Sequence, residues 1–324
     1  MESARRVLQQ ADVQLFSVAG FQRSGTNWLC RLLNHHPDIL CDGEYRLDRI
    51  WKGIDDTCLP DCKSKYVREY IEDRFYDMVY HVMLHIWLKD TSNTIIGERT
   101  PRQLGYHLPD ERVLYMVRDG RDIVVSSAYH ELNLLRMKIE SDGKYKDYGV
   151  EWHHFFTAEN ERIQKFMSDE QYFVNHPEEL LNERYVRHMA RQWSDFVASD
   201  LVRIADREVD AMIIRYQDLF PYENMLSKLK EVYEYLHADI SVDWYGQFGP
   251  QEMPSFQAAV IRDEGPHGYW YSFGHPYSFN RTGQCGQWSN YFDDHLLEVF
   301  YDSLQGPEIL KYVLSEMFHE TSHH

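Results

Sequence analysis

The chain has 324 residues, of which 43% are hydrophobic and 15% aromatic, so it can bury a large core in one large domain or two small ones. Its formal net charge is −18 and its pI is near 5.3, which argues against non-specific binding to nucleic acid or to an anionic membrane. An anionic ligand must therefore be held by a local cluster of basic residues.

The N-terminal sequence MESARRVLQQADVQ has no apolar stretch of the kind that a signal peptide contains, and no apolar run is long enough to span a bilayer. The five cysteines are odd in number and mostly lie in apolar surroundings, which is typical of reduced thiols. These features predict a cytoplasmic protein without an integral membrane segment. Cys58 and Cys62 either form a loop disulfide or remain free thiols.

Four short, mostly apolar runs alternate with helical patterns, as strands buried on both faces of a parallel sheet do. These runs are residues 13–21, 93–100, 112–119 and 211–219. Helical patterns are clearest over residues 63–90 and 223–237. The alternation predicts an α/β fold with a single doubly wound parallel sheet flanked by helices. We expect one domain over residues 13–318, with flexible termini at residues 1–12 and 319–324.

Two longer segments interrupt this alternation. Residues 134–205 are polar and aromatic with helical periodicity, and we interpret them as a helical insertion beside the functional site. Residues 239–292 are rich in glycine, proline and aromatic residues, which favours loops. Residues 293–318 predict a closing amphipathic helix.

The first apolar run leads into the stretch VAGFQRSGTNWLCRLL, a strand–loop–helix pattern typical of phosphate binding. Gly20 and Gly25 have the spacing of the Walker A loop, but Thr26 stands where that motif has its lysine. Arg23 supplies a positive charge inside the loop. The glycine spacing alone fits equally well with an ordinary strand–turn–helix corner.

The flanking residues favour an anion site, because FQRSGTNWLCRLL resembles the 5′-phosphosulfate loop of sulfotransferases. That resemblance implies the donor 3′-phosphoadenosine 5′-phosphosulfate (PAPS), which has no γ-phosphate. It also implies a sulfotransferase fold related to that of P-loop nucleotide-binding proteins. The donor-binding residues that it implies in this loop are Arg23, Ser24, Gly25, Thr26, Asn27 and, near the adenine, Trp28.

A second motif, VLYMVRDGRDIVVSSAYH, resembles the family's 3′-phosphate motif. The resemblance implies that Arg118 and Ser126 bind the 3′-phosphate, for which an arginine fork is chemically suited. A surface network of arginines and aspartates in RDGRD is the alternative for this motif taken alone.

Two later stretches extend the resemblance. FNRTGQCGQWSNYF is similar to the loop that closes over the same phosphate, with Thr282 in place of a basic residue. Its donor contacts would come from Arg281, Thr282 and Gly283, while Gly286 and Trp288 complete the match. Tyr216 in IIRYQDL matches a tyrosine that approaches the adenine, although a core tyrosine is the alternative.

The catalytic base is predicted from a further resemblance. Many cytosolic sulfotransferases have a histidine base where this chain has Pro101, so that position cannot serve. The segment HHPDILCDGEYR is similar to one in tyrosylprotein sulfotransferases that supplies a glutamate base, and it implies Glu44 as the base beside Arg23. A carboxylate can act as a base when burial raises its pKa. The alternatives are that Glu44 only pairs with Arg46, or that Glu98 is the base.

The sequence therefore predicts an O-sulfotransferase that moves the sulfuryl group of PAPS, without a metal, to a hydroxyl of a glycan, glycolipid, small alcohol or phenol. Arg23 would stabilise the developing charge and Glu44 would accept the proton. The alternatives are a P-loop nucleotide kinase or phosphotransferase that uses ATP and Mg²⁺, and a catalytically idle nucleotide-binding module. We expect no nucleic-acid partner, and a homodimer is possible.

Overall fold

A computed structural model describes most of the chain, in two compact units. The described residues are 3–42, 47–60, 62, 64–99, 104, 107–108, 110–140, 161–169, 171–219, 222–241 and 285–319. The first unit comprises residues 1–117 and 199–249, and the second comprises residues 118–198 and 250–324.

The first unit contains a five-stranded parallel sheet in the order β2-β3-β1-β4-β5. The strands are β1 (Gln14–Gly20), β2 (Ile39–Asp42), β3 (Ile95–Arg99), β4 (Glu111–Val117) and β5 (Ala211–Arg215). β1 lies at the centre, and its residues from Leu15 to Gly20 are buried. The four apolar runs thus form four of the strands, and the predicted α/β fold with one parallel sheet is confirmed.

Strand β2 was not predicted from the sequence. It has only four residues, and among the described strands it pairs with β3 alone, from Ile39 opposite Ile95 to Asp42 opposite Glu98. A run of this length carries too little periodicity to distinguish a strand from a loop. Its position at the edge of the sheet matters because the chain continues from Asp42 directly into the segment that contains Glu44.

Helices alternate with these strands. In chain order they are α1 (Ala4–Gln10), α2 (Thr26–Leu33), α3 (Leu47–Thr57), α4 (Lys65–Trp87), α5 (Gly120–Glu140), α6 (Glu161–Ser168), α7 (Tyr172–Asn175), α8 (Glu183–Ala205), α9 (Tyr222–Tyr235), α10 (Asp294–Asp302), α11 (Pro307–Val313) and α12 (Ser315–His319). The patterns at residues 63–90 and 223–237 are confirmed as α4 and α9. None of the described helices combines the length and the apolar character that crossing a bilayer requires.

The core of the first unit forms where α1 and α4 pack near the sheet. Leu8 of α1, Val79 and Met83 of α4, and Ile96 of β3 are at most 1% exposed and belong to one apolar cluster. Burying aliphatic and aromatic side chains of this size stabilises each by about 1.5–3 kcal/mol. This cluster therefore supports β3 and the neighbouring edge strand β2.

The second unit is helical in its described parts. Gly120 begins α5 beside Trp193 of α8, where an added Cβ would lie 2.4 Å from the indole ring. Trp193 is fully buried, and its ring centroid lies 6.0 Å from that of Phe300. The single closing helix predicted at residues 293–318 is wrong: it is divided into α10, α11 and α12, with Gly306 at φ +58° before Pro307.

Candidate nucleotide-binding site

The sheet topology selects one place for a ligand in the first unit. β1 has β3 on one side and β4 on the other, so the strand order reverses at β1. In open parallel sheets, ligands bind beyond the carboxyl ends of the strands at such a reversal. The loop over residues 21–25, which connects β1 to α2, lies at this point.

The backbone of this loop is shaped for close approach. Gly20 has φ +143°, and a Cβ there would lie 2.4 Å from the carbonyl oxygen of Met116. Arg23 has φ +70°, in the left-handed region that side-chain-bearing residues seldom occupy. Gly25 has φ +102° and is the N-cap residue of α2, so no side chain caps the first N–H groups of this helix. Backbone strain of this kind concentrates at ligand sites, so this loop is a candidate anion cradle.

Ser24 supports this assignment. Its side chain is 1% exposed, and its Oγ has no hydrogen-bond partner in the part of the chain that the structure describes. A buried hydroxyl without a partner is costly unless a ligand satisfies it. Thr26 is similarly buried at the first position of α2, where the N–H groups of the first helical turn have no acceptor within the helix. The hydroxyls and amides together fit a phosphate group.

The positions of Asn27 and Trp28 limit the contacts that each could make with a ligand. Asn27 accepts a hydrogen bond from Arg31 Nε through its Oδ1 at 3.4 Å, so the remaining donor on its side chain is the amide NH₂ group. Trp28 is 5% exposed. Its indole therefore packs mainly within the protein, and any contact with adenine would come from the small exposed part.

Tyr216 lies against this loop. It comes directly after β5 and is 6% exposed, and a Cβ built on Gly25 would lie 2.6 Å from its ring carbon Cδ2. Arg215 and Asp218, an ion pair with 2.7 Å between Nη2 and Oδ1, flank it. The structure thus brings Tyr216 together with Gly25, while its contact with adenine stays a prediction.

The edge strand β2 is hydrogen-bonded to the C-terminal end of α2, opposite the end that follows the candidate cradle. Asn34, the C-cap of α2, donates from Nδ2 to the carbonyl oxygen of Cys41 at 2.8 Å and accepts from the Cys41 N–H at 2.6 Å. Cys30 Sγ also contacts that carbonyl oxygen, at 3.2 Å. Burial raises the pKa of the Cys41 thiol, whereas a hydrogen bond with Cys41 lowers the pKa of Cys30. No local pattern around Asn34 indicates this role.

In the second unit, the 3′-phosphate motif begins immediately before α5. The side chain of Arg118 is 12% exposed, and its Nη2 lies 3.8 Å from Oδ2 of Asp122, one helical turn further on. Ser126 is half-buried on the next turn of α5. Burial raises the pKa of Asp122, and the charge of Arg118 opposes that rise. Arg118, just before α5, and Ser126, within α5, are thus eight residues apart, with Asp122 midway between them. Their contact with a 3′-phosphate stays a prediction.

Asp122 also holds part of the late glycine-rich segment. Its carboxylate accepts hydrogen bonds from the N–H of Gly286 at 2.9 Å and of Trp288 at 3.1 Å. No sequence motif predicted a role for Asp122. Its position four residues after Arg118 was the only local signal, because its main partners are more than 160 residues away in the chain.

Several predicted site residues lie outside the described residues. They are Glu44, Arg281, Thr282 and Gly283, together with Pro101. The alternative base Glu98 is described: it lies on β3, fully buried, opposite Asp42. β2 ends at Asp42, two residues before Glu44 in the sequence.

One group of described residues has the composition of a metal site. His176, Glu178 and Glu179 place ligand atoms within 4.8 Å of one another. Glu179 is already bound by Lys165, with 2.6 Å between Nζ and Oε2, and by the hydroxyl of Tyr172 at 3.1 Å. The group is largely exposed and contains none of the predicted donor residues, so we give it no role in the site.

Comparisons with known proteins agree with these motifs. The model of the sulfotransferase domain matches residues 15–317. A protein-tyrosine sulfotransferase of Drosophila melanogaster is 24% identical over 208 residues, an alignment that covers 57% of this chain and 40% of that protein. The aligned part thus spans less than half the length of this curated relative.

Two solved structures also resemble the chain. Mouse sulfotransferase SULT7A1 complexed with PAP has a TM-score of 0.48 and 14% identity, covering 97% of this chain and 95% of that one. The sulfotransferase domain of a Synechococcus olefin synthase has a TM-score of 0.37 and 11% identity, covering 90% of this chain and 94% of that one.

Proposed function

Because this chain belongs to the sulfotransferase domain family, we propose that it transfers the sulfuryl group of PAPS to an acceptor hydroxyl. The observation that carries the proposal is the cradle after β1. In this loop the backbone of Arg23 is in the left-handed region, and the buried Ser24 hydroxyl has no partner among the described residues. The loop lacks the lysine that ATP- and GTP-binding proteins have at this place. We propose that residues 13–318 act as one sulfotransferase domain, with residues 134–205 covering the acceptor.

The donor would be bound at its two phosphate ends by separate motifs. Ser24, Gly25, Thr26 and Asn27 bind the 5′-phosphosulfate through hydroxyls and amides at the start of α2. Arg118 and Ser126 bind the 3′-phosphate. Trp28 and Tyr216 lie near the adenine. Arg281, Thr282 and Gly283 complete the 3′-phosphate site.

The reaction is an in-line displacement at sulfur. Glu44 accepts the proton of the acceptor hydroxyl, the oxygen forms a bond to sulfur, and the bond between sulfur and the bridging phosphate oxygen breaks. The leaving group is adenosine 3′,5′-bisphosphate (PAP). Arg23, which is always protonated, stabilises the charge that develops on the bridging oxygen and on the transferring group. We propose that these arginines and amides make a metal unnecessary.

The acceptor class follows from charge. At −18, the protein disfavours a polyanionic acceptor, so a hydroxyl on a neutral glycan, glycolipid, small alcohol or phenol is the better candidate. The similarity to a protein-tyrosine sulfotransferase adds tyrosine peptides to the acceptors worth testing. The cytoplasmic location and the homodimer stay predictions of the sequence.

The test is transfer of radiolabelled sulfate from PAPS, in the presence of a metal chelator, to a panel of these acceptors. We expect label on one class of acceptor, and its loss in the Glu44→Gln variant. The Glu308→Gln variant makes the same isosteric change at an exposed site and serves as the control. Label that persists in Glu44→Gln would remove Glu44 as the base and leave the transfer intact. Mg²⁺-dependent transfer of the γ-phosphate of ATP, without sulfate transfer, would overturn the proposal.

A further inference from the structure

One buried carboxylate in the second unit connects the two segments that are assigned to the 3′-phosphate. The side chain of Asp122 is 2% exposed. Its Oδ2 accepts from the N–H of Gly286 at 2.9 Å and lies 3.8 Å from Nη2 of Arg118, while its Oδ1 accepts from the N–H of Trp288 at 3.1 Å. Both carboxylate oxygens are therefore engaged by groups of the protein.

Only a carboxylate can make this set of contacts. An ionised carboxylate has acceptor sites on both oxygens, so it can bind two amides of one turn and still face a guanidinium. An asparagine would present an NH₂ group to one of the two backbone N–H groups and would lose the attraction to Arg118. The contacts thus depend on the charge and on the geometry together.

Arg121 contacts the same turn through the ring of Trp288. The guanidinium carbon of Arg121 lies 3.6 Å from the centroid of the Trp288 ring, a cation–π contact. Arg121 is itself bound to Asp119, with 2.6 Å between Nη2 and Oδ2, and to the hydroxyl of Tyr301 at 3.1 Å. The two arginines of RDGRD therefore have different contacts: Arg121 lies over the Trp288 ring, and Arg118 faces the carboxylate of Asp122.

The charge of Asp122 lets an experiment distinguish a positioning role from a purely electrostatic effect on phosphate binding. A negative charge close to Arg118 repels a phosphate dianion, so removing it should strengthen phosphate binding if charge alone matters. A buried carboxylate at this place is therefore unfavourable for the ligand unless it sets the geometry of its neighbours.

We infer that Asp122 is a positioning residue for the 3′-phosphate. Its carboxylate orients the guanidinium of Arg118 and at the same time holds the Gly286–Trp288 turn in place. The inference rests on the proposed function, because it concerns the donor of that reaction. Asp122 itself touches no reacting atom. Its effect appears in the discrimination between a nucleotide that has a 3′-phosphate and one that lacks it.

The experiment compares the affinities of PAP and of adenosine 5′-monophosphate (AMP), measured by calorimetry. For wild type we expect PAP to bind more tightly than AMP. For Asp122→Asn we expect PAP to weaken by about ten- to a hundredfold, the usual effect of losing hydrogen bonds to a charged group, while AMP changes by less than about twofold. The Asp302→Asn variant removes one charge from an exposed site of the same unit, and its ratio should match wild type.

A double variant tests whether Asp122 acts through Arg118. Arg118→Gln alone should reduce the preference for PAP, and adding Asp122→Asn should then change it little, because coupled residues are not additive. Effects that add fully would show that Asp122 does not act through Arg118. An Asp122→Asn variant with an unchanged or increased preference for PAP would overturn the inference. A wild-type protein without that preference would instead contradict the proposed function.

Amide hydrogen exchange of the wild-type protein covers the case in which Asp122→Asn does not fold. The amides of Gly286 and Trp288 should exchange slowly, because both donate to a buried carboxylate. Exchange of both amides as fast as that of exposed residues would overturn the inference without any variant.

Discussion

The ring of Tyr216 occupies the space that a side chain on Gly25 would need. A Cβ on Gly25 would lie 2.6 Å from Cδ2 and 2.8 Å from Cε2 of the ring, and Gly25 also has φ +102°. Tyr216, directly after β5, can therefore pack against the loop before α2 only because residue 25 is a glycine. A substitution at Gly25 or Tyr216 should therefore alter the shape of the proposed phosphate cradle.

We predict that Gly25→Ala reduces PAP affinity by at least about tenfold, because alanine is strained at this φ and its methyl group collides with a buried ring. Calorimetry with PAP, together with the melting temperature, checks this. Gly53→Ala is the control: Gly53 lies within α3, has nothing within 4 Å of its Cβ position, and should gain about 0.5–1 kcal/mol of stability. Unchanged PAP affinity in Gly25→Ala would mean that the ligand does not use this loop.

Arg23 has a strained backbone and also carries the proposed catalytic charge. The variant Arg23→Gly should therefore affect stability and sulfate transfer in different ways. Glycine relieves a φ of +70°, and we expect the free energy of unfolding to stay level or rise by up to about 1 kcal/mol. The same variant should lose at least about a hundredfold in sulfate transfer, because the charge at the bridging oxygen is gone.

The chain offers a matched control for this change. Arg207 also has a positive φ, of 58°, but it is exposed and lies just beyond α8. Arg207→Gly should have a similar effect on stability and leave sulfate transfer unchanged. Equal loss of transfer in both variants would show that the effect at Arg23 comes from the backbone and not from its guanidinium.

The parts of this fold that the sequence predicts are those with a local pattern. β1, β3, β4 and β5 are apolar runs, and a buried parallel strand has that pattern by necessity. β2 is too short for any pattern, and it is defined by its pairing with β3 and by the side chain of Asn34. The closing helix was predicted as one element because its periodicity continues past Gly306, where the positive φ divides it.

The candidate site shows the same limit. Arg23, Arg118 and Tyr216 were predicted because a family motif surrounds each of them, and their contacts with a donor stay predictions. Asp122 was missed because its role depends on backbone amides that lie 164 and 166 residues further along the chain. A side chain that binds another segment's backbone leaves no trace in that segment's sequence, since every residue there has an N–H group except proline.

A buried glutamate in the second unit should make stability depend on pH. Glu131 accepts from the hydroxyl of Tyr185 at 3.1 Å, and burial raises its pKa from an ordinary value of 4.5 to about 8. Between these two values the folded protein keeps a proton that the unfolded chain releases. The stabilising contribution is therefore complete below pH 4.5 and is lost as the pH rises to about 8.

We predict that Glu131→Gln, which keeps an acceptor for Tyr185 and cannot ionise, becomes more stable relative to wild type as the pH rises from about 5 to about 8. Urea unfolding of both proteins across that range measures the difference. Glu298→Gln, at an exposed site on α10, should follow wild type. Parallel stability curves for Glu131→Gln and wild type would show that Glu131 ionises in the folded protein as it does in the unfolded chain.

Asn34 joins the C-terminus of α2 to the edge strand that leads into Glu44. Its side chain makes two hydrogen bonds to the backbone of Cys41, at 2.8 and 2.6 Å. Asn34→Asp removes the NH₂ donor and places a carboxylate against the carbonyl oxygen of Cys41. We predict that the loss of this partner costs about 1–3 kcal/mol in the free energy of unfolding, measured with urea.

The effect of Asn34→Asp on function depends on the segment that begins after β2. If Glu44 is the base, moving the end of β2 displaces the base from the acceptor while the cradle at Arg23 is unaffected. We therefore expect kcat to fall by at least about tenfold and the Kd for PAP to stay within about twofold of wild type. Asn175→Asp, at an exposed site on α7, controls for the added charge. A rise in the Kd for PAP with unchanged kcat would instead place Asn34 with the donor and argue against Glu44 as the base.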